Sequence, residues 1–329
     1  MPGRDLRRQR RSRRSRGHWR PGALLSSSSG GEGRVTVGID VGGTKLLGLA
    51  LDGRDRPVCE RRRATPKVGA ALVASLVEVV LEICREVDDV VAVGVGLPGL
   101  VDRQGRLAFA PHLPGVVDLD VAGPLAGATG LSVSVDNDAT AALAAEHRLG
   151  AARGATDAVL VTLGTGIGGA LLLGGQLQRG AAGFAGEVGH MVVEVGGRPC
   201  PCGRRGCWER YASGEALARL AAEAGREPED PVVLGQLARW VALGLANLVH
   251  VLDVERVVVG GGISTRGEAL LAPLRAAFLA AVVAPGHRPP VNIVGAVLGE
   301  RAGAVGAALL ARDRVDGAEI NPRGAPGGG

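Results

Sequence analysis

Two stretches of this 329-residue chain follow one plan. "VTVGIDVGGTKLLGLALD" (35–52) and "DAVLVTLGTGIGGALLLGG" (157–175) each read as a strand, a tight turn of glycine and threonine, and a second strand. A unit repeated so far apart in sequence needs its own sheet and covering helices each time, which predicts two similar α/β halves around a cleft. The first half goes on with a third strand ("VCERRRAT"), an amphipathic helix (69–87), a buried strand (90–96), and a strand over 131–136 that leads into a helix from Asp138 to about Leu149. The second goes on with a long helix (232–254), a strand into a glycine turn (256–262), a helix (267–283), a strand (291–298) and a closing helix (303–313).

Composition fits nucleotide handling. Aromatic residues are 2% against 46% hydrophobic, and there are 54 glycines, so Ala, Val and Leu build the core and glycine serves the backbone. The net charge of +5 suggests a nucleic-acid partner until it is located: nine arginines in the first 33 residues against Asp5 and Glu32 leave the body at −2. We read 1–33 as a disordered Arg/Ser/Gly-rich tail and 314–329 as a second tail. Between them lie a first lobe over 34–136, completed by a helix at 301–313, and a second lobe over 137–300. No secretory h-region is visible, and no run approaches about 18 uninterrupted apolar residues. A cytoplasmic protein without membrane or nucleic-acid partners is expected, with an organellar address as the alternative.

The turns carry chemistry. Asp40 ends a strand before Gly42, Gly43, Thr44 and Lys45, where glycines let backbone N–H groups approach phosphate, the threonine donates a hydroxyl and the lysine supplies a cation. The alternative is a plain β-hairpin turn. Gly164, Thr165, Gly166 and Gly168 form the counterpart, and Gly260, Gly261 and Gly262 form a third turn between a strand and a helix. None matches the Walker or dinucleotide fingerprint. Asn137 and Asp138 open a helix after a strand, where Asp138 either caps the helix or serves as a general base. In 186–214, His190, Cys200, Cys202 and Cys207 offer one nitrogen and three sulfurs, enough for a closed zinc site, with reduced structural or redox cysteines as the alternative. Glu187 lies three residues before His190 and Glu209 two after Cys207, so one ion would bring both carboxylates toward one place.

Asp40-Val-Gly-Gly-Thr-Lys45, Leu163-Gly-Thr-Gly-Ile-Gly-Gly169, Gly260-Gly-Gly262 and Cys-x-Cys-Gly-x-x-Gly-Cys at 200–207 together resemble the ROK family of bacterial sugar kinases and sugar-responsive repressors, over roughly 34–313. The resemblance implies the actin-like ATPase (ribonuclease H-like) fold, with ATP and a hexose in the cleft and Mg²⁺ on the phosphates near Asp40. It implies Asp138 as general base, sugar hydroxyls held by Asn137, Glu187, His190 and Glu209, backbone contact at Gly99, and structural Zn²⁺ on His190, Cys200, Cys202 and Cys207. Glucokinases look most similar and N-acetylmannosamine kinases next; a homodimer or homotetramer is implied. His112 departs from the Asn common in glucokinases of this type. Fructose, allose and a polyphosphate donor stay open, because short motifs do not encode the direction of one hydroxyl. A repressor needs a winged helix-turn-helix before the body, and the 33 residues there lack helical periodicity.

Overall fold

The computed structural model describes residues 34–111, 113 and 115–317. The expected tails, apart from 314–317, and His112 lie outside the described residues.

The repeat in sequence is a repeat in topology. The first half runs β1 (Val35–Val41), β2 (Lys45–Leu51), β3 (Pro57–Ala64), α1 (Gly69–Cys84), β4 (Val90–Leu97), β5 (Leu100–Val101), β6 (Arg106–Phe109), β7 (Val117–Asp120), α2 (Ala122–Thr129), β8 (Ser132–Asn137) and α3 (Asp138–Leu149). The second runs β9 (Ala158–Leu163), β10 (Ile167–Leu173), β11 (Gln176–Leu177), α4 (Glu209–Ala212), α5 (Gly214–Ala224), α6 (Pro231–Leu252), β12 (Arg256–Gly260), α7 (Glu268–Ala281), β13 (Asn292–Gly295) and α8 (Ala302–Val315). The strand orders are β3-β2-β1-β4-β8 and β11-β10-β9-β12-β13, the same arrangement twice. In each sheet the first three strands pair antiparallel and the last two join in parallel. The carboxyl ends of the parallel strands therefore meet at one edge of each sheet, where open α/β sheets bind ligands.

The helices that follow the last strands change sides. α3 leaves β8 but packs on β9 and β10, while α8 leaves β13 but packs on β1 and β4, and the two helices lie against each other. Their alanines, with Leu47, Leu49, Leu51, Leu160 and Leu172, make a central core between the sheets. The first sheet's outer core is closed by α1 and α2, and the second sheet's by the helices from α4 to α7. α6 starts with Pro231 in its first turn and Asp230 accepting from the Val232 N–H. Among the described residues it is the one helix long and apolar enough to cross a membrane, and most of its apolar window is buried in the fold. The small sheet β5-β6-β7, β11, α2 and α4 are elements that hydrophobic periodicity did not reveal, being short or interrupted by glycine and proline, and the amphipathic α5 was not read although its apolar positions have helical spacing.

Glycine sets how close α8 lies. An added Cβ at Gly38 would stand 1.9 Å from the Ala304 carbonyl oxygen, one at Gly94 1.9 Å from that of Ala307, and one at Gly306 1.6 Å from that of Ala141. Gly235 in α6 has open space instead. Gly306→Ala is therefore expected to destabilise the protein by about 2–3 kcal/mol or more, as overpacking does. Gly235→Ala should stabilise it by about 0.5–1 kcal/mol through helix propensity. Denaturant unfolding of both variants checks the contrast.

Candidate functional site

At the first lobe's edge, β8 hands over to α3 through Asn137. Its Oδ1 accepts from the Ala139 and Thr140 N–H groups at 2.9 and 3.1 Å, a helix cap, and its Nδ2 donates to the Gly99 carbonyl at 3.2 Å. Gly99, at φ +101°, is the residue that fits there, because a Cβ would stand 2.3 Å from the Phe109 carbonyl oxygen. The cap thus belongs to Asn137, and the Asp138 carboxylate is turned to the helix end, accepting from the Ala139 N–H at 2.7 Å. Desolvation pushes Asp138 up to about 6; the Ala139 N–H opposes this and the negative charge of Glu187 adds to it. Asp40, at the end of β1, is pushed up to about 7 by desolvation first and by the charge of Asp138 second, with Lys45 opposing. The carboxylates of both lobes therefore share one field.

The first glycine turn closes through the Gly42 N–H donating to the Lys45 carbonyl at 2.9 Å, while Thr44 accepts from the Thr65 N–H at 3.0 Å. Gly43 takes Lys67 Nζ on its carbonyl. Lys45 does not point alone into the cleft: its ammonium pairs with Glu300 at 2.8 Å, and Arg62 reaches the same carboxylate at 3.0 Å. In the second lobe, Thr165 is exposed at the tip of a turn whose Gly164 N–H donates to the Gly166 carbonyl at 3.0 Å. The first N–H of α5, from Gly214, donates to the Gly164 carbonyl at 2.7 Å. Gly261, at φ +82°, lies so close that a Cβ would be 2.4 Å from the Leu163 carbonyl oxygen, so the second and third turns touch. Gly262 opens a 3-10 helix over Gly262–Arg266. A Cβ on Gly168 would lie 2.7 Å from Thr162 Oγ1 and 3.6 Å from the Ala139 Cβ, which places the start of α3 beside the second turn.

The cysteine segment folds as a knuckle. Cys200 donates its N–H to the Arg204 carbonyl at 2.8 Å, and Gly203 and Gly206 bend the chain at φ +87° and +80°. Trp208, fully buried, anchors the far side by donating from Nε1 to the Trp240 carbonyl at 2.7 Å. The His190, Cys200, Cys202 and Cys207 ligand atoms all lie within 4.8 Å of one another. The Cys202–Cys207 sulfurs are 3.6 Å apart and Cys200 Sγ is 3.8 Å from His190 Nδ1. Zinc–sulfur bonds of about 2.3 Å in a tetrahedron give edges of about 3.8 Å, so this donor set fits a four-coordinate ion. His190 then turns Nε2 toward Glu187 at 3.9 Å, while Nδ1 lies 3.7 Å from Glu209. Desolvation and the charge of Glu209 raise the pKa of Glu187, with His190 opposing.

Four partners escaped sequence reasoning: Glu300, Arg62, Arg179 and Glu146. Glu146 is fully buried in α3, accepting from the Ala151 N–H at 2.7 Å and from the Val297 and Leu298 N–H groups at 3.0 and 2.9 Å. Each meets a partner distant in the chain, which no local pattern announces.

The ROK family pattern matches residues 36–314. The glucokinase of Streptomyces coelicolor is 35% identical over 312 residues, covering 85% of this chain and 98% of that protein. An N-acetylmannosamine kinase of Escherichia coli is 33% identical over 303 residues, covering 85% and 99%. The crystal structure of a ROK family glucokinase from Streptomyces griseus in complex with glucose and AMPPNP superposes with a TM-score of 0.77 at 35% identity, covering 85% and 99%. Because the family's pattern runs through both lobes, from β1 to the end of α8, the chain belongs to the ROK family.

Proposed function

We propose that this chain is an ATP-dependent hexose kinase of the actin-like class, which phosphorylates the terminal hydroxyl of glucose. The observation that carries the reading is Asp138. It stands at the start of α3, half-buried, with a pKa raised to about 6 and the Glu187 charge beside it. A base of that strength is ionised at neutral pH and still accepts a proton in the transition state. Support for the substrate comes from the glucokinase relatives; the N-acetylmannosamine kinase relative makes that hexosamine the second reading.

In this mechanism Glu187, His190, Glu209 and Asn137 hold the sugar hydroxyls, and the Gly99 backbone lines the same loop. Charged acceptors make the stronger hydrogen bonds. The terminal hydroxyl gives its proton to Asp138 as its oxygen attacks the γ-phosphorus, the bond to the β-phosphate oxygen breaks, and ADP leaves. Gly42, Gly43, Thr44 and Lys45 from one lobe, with Gly164, Thr165, Gly166, Gly168, Gly261 and Gly262 from the other, cradle the nucleotide. Asp40 would hold magnesium, which supplies positive charge to the phosphates. His190, Cys200, Cys202 and Cys207 would hold zinc with four protein ligands, and the ion would serve to fix the loop that bears Glu187 and Glu209.

Four outcomes are expected. Asp138→Asn should lower kcat by about 10³-fold or more, near the range of general-base loss, and near-wild-type turnover would sink the base assignment. The same variant should melt higher at pH 8. A folded pKa of about 6 above the ordinary 3.8 means that ionising Asp138 costs stability progressively as pH rises from about 4 to 6, so the variant's advantage should be full above pH 6 and fade as pH falls toward 4. For the wild type, kcat/KM should fall as pH drops through about 6 to 7, the range of Asp138 and Asp40. Elemental analysis should find one zinc per chain, and Cys202→Ser should lose it and raise the sugar KM; full activity in a zinc-free protein would contradict the structural role.

A further inference from the structure

The segment from Arg179 to Glu187, which leaves β11 in the second lobe, is pinned to the first lobe at three points. Arg179 donates from Nε and Nη2 to one oxygen of Asp136, at 2.8 and 2.7 Å. Arg103 donates from Nε to the Gly180 and Ala181 carbonyls, both at 2.9 Å, and from its backbone N–H to Ala182 at 3.2 Å. Gly183, at φ +105°, approaches until a Cβ would lie 2.5 Å from the Val101 carbonyl oxygen. The other Asp136 oxygen accepts the Asn137 N–H at 2.9 Å. One carboxylate therefore joins an arginine of the second lobe to the main chain of the residue beside the proposed base.

The pair is sheltered, with side chains 27% and 17% exposed. Two charges drawn that far out of water give little net stability, whereas two donors on one oxygen fix a direction. The pair lines a cavity of about 370 Å³ bounded by the segment, β8 and α8. Removing the guanidinium therefore opens a polar space that water fills.

We propose that Arg179 is a positioning residue. Through Asp136 it sets the main chain at Asn137, and along the segment, where the Ala185 N–H donates to the Arg179 carbonyl at 3.1 Å, it sets Glu187, so the sugar contacts of the two lobes are fixed relative to each other. This rests on the proposed kinase reading. Neither Arg179 nor Asp136 takes part in the proton or phosphoryl transfer.

The test uses the full chain with Arg179→Met, Arg179→Lys, Asp136→Asn and the double variant Arg179→Met/Asp136→Asn. Turnover with Mg–ATP and glucose is read beside calorimetric glucose affinity and the melting temperature. Arg179→Met should lower kcat/KM by about 30- to 100-fold, the scale of a misplaced reacting group, and should weaken glucose binding while remaining folded. Arg179→Lys should recover part of the loss, because it keeps the charge but not the forked donors. The double variant should be within about threefold of the worse single one, since the two act as a unit. Folded Arg179→Met with kcat/KM and affinity within threefold of wild type overturns the proposal, as do losses that multiply in the double variant. Wild type that binds glucose without phosphorylating any hexose sinks the kinase reading alone, and Arg179 is then judged on affinity.

Discussion

The whole cleft depends on how closely α8 can lie on the first sheet. The helix follows the last strand of the second sheet, yet it rests on β1, β4 and α3, with glycine at each contact where even a methyl group would enter a backbone atom. Dispersion falls steeply with distance, so small residues on both sides give the tightest packing. The first turn of α8 also closes on the site: a Cβ at Gly303 would stand 2.6 Å from the Asp40 carboxyl carbon. Just before the helix, Glu300 takes Lys45, and Arg301 reaches Glu60 at 2.7 Å. Glu146 fixes the connection from β13 with two of its three hydrogen bonds. One helix thus delivers the end of the second sheet to the glycine turn of the first.

On that frame the acids make sense as a row. Asp40, Asp138 and Glu187 each feel a neighbour of like charge and are desolvated, and Glu209 is the neighbour that acts on Glu187. Such an arrangement is costly for a protein that only needs to fold and useful for one that takes a proton and holds hydroxyls. The cysteine knuckle sits at the end of the row. By gathering His190 and Cys207 it brings Glu187 and Glu209 to opposite nitrogens of one imidazole, which neither carboxylate's place in the sequence would achieve.

Periodicity and turn residues were enough to read every strand of the two large sheets but β11, though not their order. The runs at 35–52 and 157–175 became β1–β2 and β9–β10, and the helix expected from Asp138 to about Leu149 is α3. Asn137 and Asp138 were legible as a helix start, though only the fold separates the cap, which is Asn137, from the carboxylate beside it. The small sheet of β5, β6 and β7 was not legible, because strands of two to four residues carry no measurable period. Nor was the ion pair on Lys45, whose partner lies at position 300. Asp136 reads in sequence as a strand end. Its bond to Arg179 across the lobes, 43 residues away, is tertiary information.

The function we propose is the transfer of phosphate from ATP to a hexose in this cleft, glucose before its epimers and hexosamines. Steady-state kcat/KM with Mg–ATP across glucose, N-acetylmannosamine, fructose and allose, with the phosphorylated position read by ³¹P NMR, tests it most directly. Glucose should give the highest value, with phosphate on its terminal oxygen. A higher value for N-acetylmannosamine would move the substrate assignment, and no transfer to any of these sugars would rule out a hexose kinase.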